Sequence, residues 1–134
     1  KYSVAIKNQI SFQMQLGDLS TFPLSDEELI VVLSNLLDNA FNACMAVSSF
    51  EERKVLLKMR KEEAAGFLYL ENRTAHDVEI LDNKIVAPKN KSIEHGYGLK
   101  NVTAILENIN ALYVFDYNSQ KHLFSFSAQF PISR

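Results

Sequence analysis

The strongest constraint on the fold is one segment, residues 25–48, where a helix start, a helical apolar period and a row of asparagines coincide. Ser25-Asp26-Glu27-Glu28 has the S-x-x-E form of a capping box. Its acids lie in the first turn, where the helix dipole favours negative charge. Leu29, Leu33, Leu36, Leu37, Ala40, Cys44 and Val47 then recur at a spacing that places them along one helical face. The pattern predicts a helix over residues 26–48. A helix with one long apolar face must lie on something. In a chain of 134 residues that is 47% hydrophobic, that something is a single core built without metals or disulfides.

The remaining segments supply the partner layer. Residues 2–16 hold two short alternating stretches, and in the second Ile10, Phe12, Met14 and Leu16 alternate with polar residues as in a half-buried strand. Gly17-Asp18 and Pro23 punctuate a loop. Residues 54–60 and 67–72 read as strands joined by a turn over 62–66. Residues 73–95, with Asn83, Pro88 and Asn90 and one apolar interruption at Val78, Ile80 and Leu81, read as a long loop, a length usually tied to function or disorder. A second helix is expected over 98–109, with Leu99, Val102, Ile105 and Leu106 on one face. Strands over 112–117 and 122–130 close the chain around Asn118-Ser119-Gln120. The expected class is α+β: one domain over 1–134, a two-layer α/β sandwich with a mixed, mostly antiparallel sheet and both helices on one face.

Several function classes are disfavoured. The net charge of −2 is a poor match to sequence-independent nucleic-acid binding, which rests on neutralising many phosphates. No run of eighteen or more apolar residues and no signal peptide is present. The single cysteine, Cys44, has no disulfide partner and no metal-ligand spacing, and reads as a buried small hydrophobe. His76 and His122 stand without ligand-spaced neighbours and read as surface residues. Neither a Gly-x-Ser-x-Gly elbow nor an H-E-x-x-H motif occurs.

Three features carry chemistry. Asn35, Asn39 and Asn42 share a stripe of the first long helix, and asparagine is a weak helix former. The stripe is either a solvated polar face or a magnesium–nucleotide site, since an amide oxygen can ligate Mg2+ without repelling a triphosphate. His95-Gly96-Tyr97-Gly98-Leu99-Lys100 places two of the chain's four glycines at a helix start. This is either a plain loop-to-helix turn or a phosphate cradle, where backbone N–H groups meet an anion. Asn72 ends a predicted strand on the same face as Leu70. It either starts a turn or reaches into a pocket to read a base. Lys84, Lys89, Lys91 and Lys100 either screen a nucleotide's charge or belong to a solvated loop.

Taken in order, Asn35-Leu-Leu-Asp-Asn39-Ala, a strand ending in a polar residue, a loop, and His95-Gly-Tyr-Gly-Leu-Lys-Asn101 resemble the Bergerat (GHKL) ATPase fold. More closely, they resemble the ATPase domains of peptide-pheromone-type sensor histidine kinases of Gram-positive bacteria. The resemblance spans residues 10–132. It implies ATP and Mg2+ as cofactors. It implies that Asn39 ligates the metal and that Asn35 lines the same site and positions the γ-phosphate or a water. Asn42 stands where many members carry a basic residue. Asn72 stands where most carry an aspartate that accepts from the adenine amino group, and Arg73, Thr74, Ala75 and His76 replace the glycines that usually follow. His95, Gly96 and Gly98, with the N–H groups of Leu99 and Lys100, would surround and hold the phosphates, and residues 77–94 would form the lid.

The family's chemistry is γ-phosphoryl transfer to a histidine on a separate helical dimerisation domain, with a response regulator downstream. No histidine here lies in such an acceptor context, so the chain is expected to bind ATP without phosphorylating itself. Beginning at Lys1, it reads as a fragment of a longer kinase, cytoplasmic itself, without membrane contact or nucleic-acid partner, and cut from a membrane-anchored parent. The alternative is a degenerate nucleotide-binding module that docks partners without transfer. A hydrolytic relative is disfavoured, because the acid nearest Asn35 is Asp38, off the asparagine stripe.

Overall fold

The computed structural model describes residues 2–86 and 94–132, with residues 94–98 as backbone only. The elements run α1 (Tyr2–Lys7), β1 (Ser11–Leu16), α2 (Asp26–Met45), a 3-10 turn at Phe50–Glu52, β2 (Lys54–Lys61) and β3 (Ala65–Arg73). They continue with β4 (Ile80–Leu81), β5 (Lys84–Ile85), α3 (Glu94–Asn108), β6 (Leu112–Asn118) and β7 (Leu123–Pro131). Five strands form one sheet in the order β1-β2-β3-β7-β6. β1 and β2 are parallel and every other pair in it is antiparallel. A parallel pair needs a long crossover, and α2 is that crossover. The mixed, mostly antiparallel sheet and the α+β class are as expected.

α2 starts as the sequence dictates. Ser25 Oγ accepts from the Glu28 N–H at 3.1 Å and the Glu28 carboxylate accepts from the Ser25 N–H at 2.9 Å. Val32, Leu36, Leu37, Ala40, Phe41 and Cys44 are buried beneath it. They meet the inner face of the sheet: Phe12, Val55, Leu57, Met59, Leu68, Leu70, Phe124, Phe126 and Phe130. Aromatic rings knit this layer. Phe12 meets Phe41 edge-on at 5.2 Å, and Phe115 contacts Phe126 at 5.2 Å and Phe124 at 6.0 Å.

The helix ends at Met45 rather than Ser48 because one side chain closes it. Arg53 donates to the carbonyls of Met45 at 2.9 Å, Val47 at 2.9 Å and Asn8 at 2.7 Å. It satisfies carbonyls that have no partner at a helix C-terminus and ties them to the end of α1.

Four expectations change. Residues 2–7 form a helix, not an alternating strand. It stops in an αL cap, with Gln9 at φ 57 and Ile10 N–H bonded to Ala5 O at 2.9 Å, and no glycine marks the spot. Gly66 is not a turn residue but lies within β3, paired with Lys61. A Cβ there would come within 2.7 Å of Pro23 Cδ and 2.9 Å of Phe22 Cε2, so glycine lets the 17–24 loop pack directly on the strand. The described part of the long 73–95 loop contains the β4–β5 hairpin. β1 itself is less buried than its alternation suggests: Phe12 is buried, whereas Met14 and Leu16 are exposed.

Candidate functional site

α2, which carries the asparagine stripe, packs against both β3, which carries Asn72, and α3, which carries the glycine motif. On α2, Asn35 and Asn39 are half-buried and Asn42 is exposed. Asn35 donates its Nδ2 to Val31 O one turn back at 2.9 Å, which engages the nitrogen and leaves the oxygen as the group able to accept or to ligate. These side chains edge the apolar face rather than stand opposite it, and a half-buried amide is the kind that can both line a pocket and reach a ligand.

Asn72 continues the inward row Leu68–Leu70 and is 2% exposed. A polar residue that deep needs partners. Its Nδ2 donates to Arg73 O at 3.0 Å. That bond fixes the orientation of the amide, because only the nitrogen can face a carbonyl, and it leaves the oxygen as the group able to accept from a ligand.

One step beyond lies a cluster that reading the sequence had not singled out. Thr74 extends the β3 ladder, with its N–H bonded to His122 O at 2.9 Å. The Tyr117 hydroxyl donates to Asp77 Oδ1 at 3.0 Å and lies 3.3 Å from Thr74 Oγ1, which donates to His122 O at 3.4 Å. His122 Nδ1 lies 3.4 Å from the same hydroxyl and 3.9 Å from Asp77. Burial pushes the Tyr117 pKa up; the Thr74 contact opposes this and Asp77 adds to it. The signal for Thr74 was available, since it falls two residues past Asn72 on the same face. His76 and His122 are exposed, as expected.

On the phosphate side, α3 begins at Glu94 rather than Gly98, so Gly96 and Gly98 lie within its first turns. In a regular helix the free N–H groups are the first four, here those of residues 94–97, and the amides of Leu99 and Lys100 turn inward to helical bonding. The helix is held from its far side, where Val102, Leu106 and Ile109 are buried. Lys100 and Lys84 are exposed, whereas Lys89 and Lys91 lie outside the described residues. The side chain of His95 lies outside them as well.

Cys44 is fully buried, with Sγ 3.5 Å from Lys54 O, and burial pushes its thiol pKa up. Among the described residues no group of three or more His, Cys, Asp and Glu could hold a metal. A hard cation bound through one amide oxygen and a nucleotide's own phosphates needs no such cluster, and Asn39 is a suitable donor. A concavity of about 970 Å³ lies away from all of this, on the outer face of the sheet, lined by Lys58, Arg60, Phe67, Tyr69, Val114 and Gln129. It is the uncovered side of a two-layer fold and holds none of the site residues.

Residues 24–129 match the GHKL domain family, which is most of the chain and includes every residue named above as a site candidate. The chain belongs to the GHKL family. Among solved structures, this GHKL domain is similar to the catalytic domain of histidine kinase ThkA, with a TM-score of 0.73 and 18% identity over 97% of this chain and 84% of that one. It is similar to the Acinetobacter baumannii histidine kinase AdeS, with a TM-score of 0.64 and 14% identity over 99% of this chain and 59% of that one. It is also similar to full-length ShkA in complex with AMPPNP, with a TM-score of 0.65 and 17% identity over 96% of this chain and 27% of that one. The GHKL domain thus has the fold of a histidine kinase catalytic domain, and spans only part of the AdeS and ShkA chains. Among curated proteins, none matches it. No helix among the described residues is long and apolar enough to cross a membrane.

Proposed function

We propose that this GHKL domain binds Mg-ATP and presents the γ-phosphoryl group to a histidine on a separate helical dimerisation domain, within a two-component system whose response regulator acts downstream. The observation that supports this reading is the buried Asn72, its amide oriented by Arg73 O, on a strand that packs against α2, the helix of Asn35 and Asn39, which packs in turn against α3 with Gly96 and Gly98 in its first turns. Asn39 would supply an oxygen to Mg2+, which neutralises the phosphates when bound, and Asn35 would position the γ-phosphate. Asn72 would accept from the adenine amino group. Gly96, Gly98 and the amides of Leu99 and Lys100 would hold the phosphates, with His95 and Lys100 beside them. Direct contact by those two amides requires the first turn of α3 to open. The two glycines favour this, since each weakens a helix by about 1 kcal/mol relative to alanine. Asn42, exposed and neutral, would contribute least.

The motif order supports a place near the peptide-pheromone-type kinases of Gram-positive bacteria, in a cytoplasmic domain of a membrane-anchored parent. A second reading, a nucleotide-binding module that docks partners without transfer, is favoured by one feature. The residues after Asn72 are Arg73, Thr74, Ala75 and His76, and Thr74 is locked into the Tyr117–Asp77 cluster. Calorimetric titration with Mg-ATP tests the binding claim: Asn39→Ala should bind at least about tenfold more weakly than wild type. Equal affinities would sink the assignment. Supplying a dimerisation domain in trans and following radiolabel onto histidine separates kinase from module.

A further inference from the structure

The two edges of the main sheet are finished differently. At β6, Asn83 from the β4–β5 hairpin bonds the Tyr113 carbonyl and the Phe115 N–H. At β1, among the described residues, no strand pairs with the side turned away from β2. Bare edges in proteins that stay single are kept short or carry charge, proline or a bulge. β1 has none of these: Ser11-Phe12-Gln13-Met14-Gln15-Leu16 is six residues long, uncharged and in unbroken register with β2. Its backbone is already set for pairing. Ser11 N–H bonds Arg53 O at 2.8 Å and Gly17 N–H bonds Met59 O at 2.9 Å. Successive residues of a strand turn their N–H and C=O groups to opposite sides. Ser11, Gln13, Gln15 and Gly17 therefore face β2, and the N–H and C=O of Phe12, Met14 and Leu16 face the free side. Side chains alternate with the same parity, so these three lie on the inner face of the sheet and Gln13 and Gln15 on the outer. Phe12 is buried, but Met14 and Leu16 are 39% and 50% exposed. They border a groove of about 380 Å³ lined by aliphatic and aromatic side chains, with Leu29 and Leu33 of α2 on its other wall.

We propose that β1 is an interface for a second copy of this chain, the two strands running antiparallel about a twofold axis at Met14. In that register Met14 meets its own counterpart and Phe12 meets Leu16 of the other copy. Each of these pairs has both backbone groups turned outward, so each exchanges two N–H···O bonds. Gln13 meets Gln15 across the axis on the outer face. Apolar side chains thus oppose apolar ones and amides oppose amides. No like charges are set against each other, because the strand carries none. Pairing covers Met14 and Leu16 and brings a second Leu16 beside Phe12, over the groove. A strand of another sequence would satisfy the same backbone groups, but the twofold match of Phe12 with Leu16 and of Gln13 with Gln15 favours the chain's own. The contact is isologous and uses each β1 once, so assembly stops at two copies.

The test is sedimentation equilibrium of the full chain from about 5 μM to about 500 μM, joined to hydrogen exchange at both ends of that range. One strand pair and a small groove make an interface at the low end of size, so a dissociation constant on the order of 100 μM is expected. The amides of Phe12, Met14 and Leu16 should exchange about threefold more slowly at the high concentration, whereas those of Gln13 and Gln15, bonded to β2, should not change. Met14→Lys sets two ammonium groups against each other across the axis and should raise the dissociation constant at least about tenfold. The double change Gln13→Lys with Gln15→Glu, on the solvated face, sets a lysine opposite a glutamate and should tighten the dimer at least about twofold. In a register centred on Gln13 the same change would set lysine against lysine. A chain that stays monomeric at the highest concentration overturns the proposal. So does a dimer that Met14→Lys leaves intact, that the double change weakens, or that forms without protecting the Phe12, Met14 and Leu16 amides. None of these readings involves a nucleotide, so they stand or fall apart from the function proposed above.

Discussion

Replacing Asn72 by aspartate would restore the residue that most Bergerat proteins carry at this strand end, and its outcome can be worked from the surroundings. The Asn72 side chain is 2% exposed and its Nδ2 is bonded to Arg73 O at 3.0 Å. Asn72→Asp removes that donor, a loss of about 1 kcal/mol. When ionised, it also sets a carboxylate oxygen against a carbonyl oxygen in a desolvated place. Both effects disfavour the charged form, so the folded pKa of the introduced carboxyl is raised above its unfolded value of about 3.9. Below that value only the lost donor is felt, and a further loss sets in as pH rises through the folded pKa. A raise of about two units converts to about 2.7 kcal/mol once both states are ionised. Urea denaturation should show Asn72→Asp about 1 kcal/mol less stable than wild type near pH 4 and about 3–4 kcal/mol less stable near pH 8. ATP should recover more stability in Asn72→Asp than in wild type, since a carboxylate accepts the adenine amino proton more strongly. A difference from wild type that is the same at both pH values would refute the reasoning, because it would mean the side chain is solvated and the carboxyl pays no desolvation.

Gly66→Ala forces a methyl into Pro23 and Phe22, and should lower stability by about 1–3 kcal/mol in chemical denaturation while leaving the strand register intact. Arg53→Met strips three carbonyls of their donor and should reduce stability by about 2–4 kcal/mol, with faster amide exchange at both α1 and the end of α2. Cys44, buried and with its thiol pKa raised, should resist a disulfide reagent near pH 8 in the folded protein and react fully on denaturation, measured as the ratio of the two rates.

The elements legible in the sequence were those with a long period or an explicit stop signal. α2 announced itself by the Ser25–Glu28 box, and β2, β3 and β7 read as strands whose burial alternates. What escaped was built from substitutes for the usual signals. α1 closes on Gln9 in the αL conformation rather than on glycine, and the Asp82-Asn83 turn does the work of Asn-Gly. α3 closes on Asn110 at φ 59, with Ala111 N–H bonded to Leu106 O at 2.8 Å, yet its end was legible because asparagine is an ordinary αL cap. Its start was misplaced because glycine reads as a breaker, although the buried anchors Val102 and Leu106 carry the helix back over both glycines. In the site, the asparagine stripe and Asn72 were visible because each breaks a local rule: weak helix formers in a strong helix, a polar residue in an apolar row. The Thr74–Tyr117–Asp77–His122 cluster breaks no local rule. It is assembled from β3, β6 and two loops, and only the folded register brings it together.

Asn83, at the tip of the β4–β5 hairpin, donates to Tyr113 O at 2.8 Å and accepts from the Phe115 N–H at 2.8 Å, and this contact bears on how the domain behaves in concentrated solution. β6 carries exposed Leu112 and Val114 along a free sheet margin, the kind of surface onto which a foreign chain can add a strand. A carboxamide already seated opposite Val114 occupies the bonds through which such an addition would begin. The hairpin therefore caps the growing end of the sheet, and loosening it should be felt first as lower solubility and concentration-dependent association, at protein concentrations where the intact domain remains monodisperse.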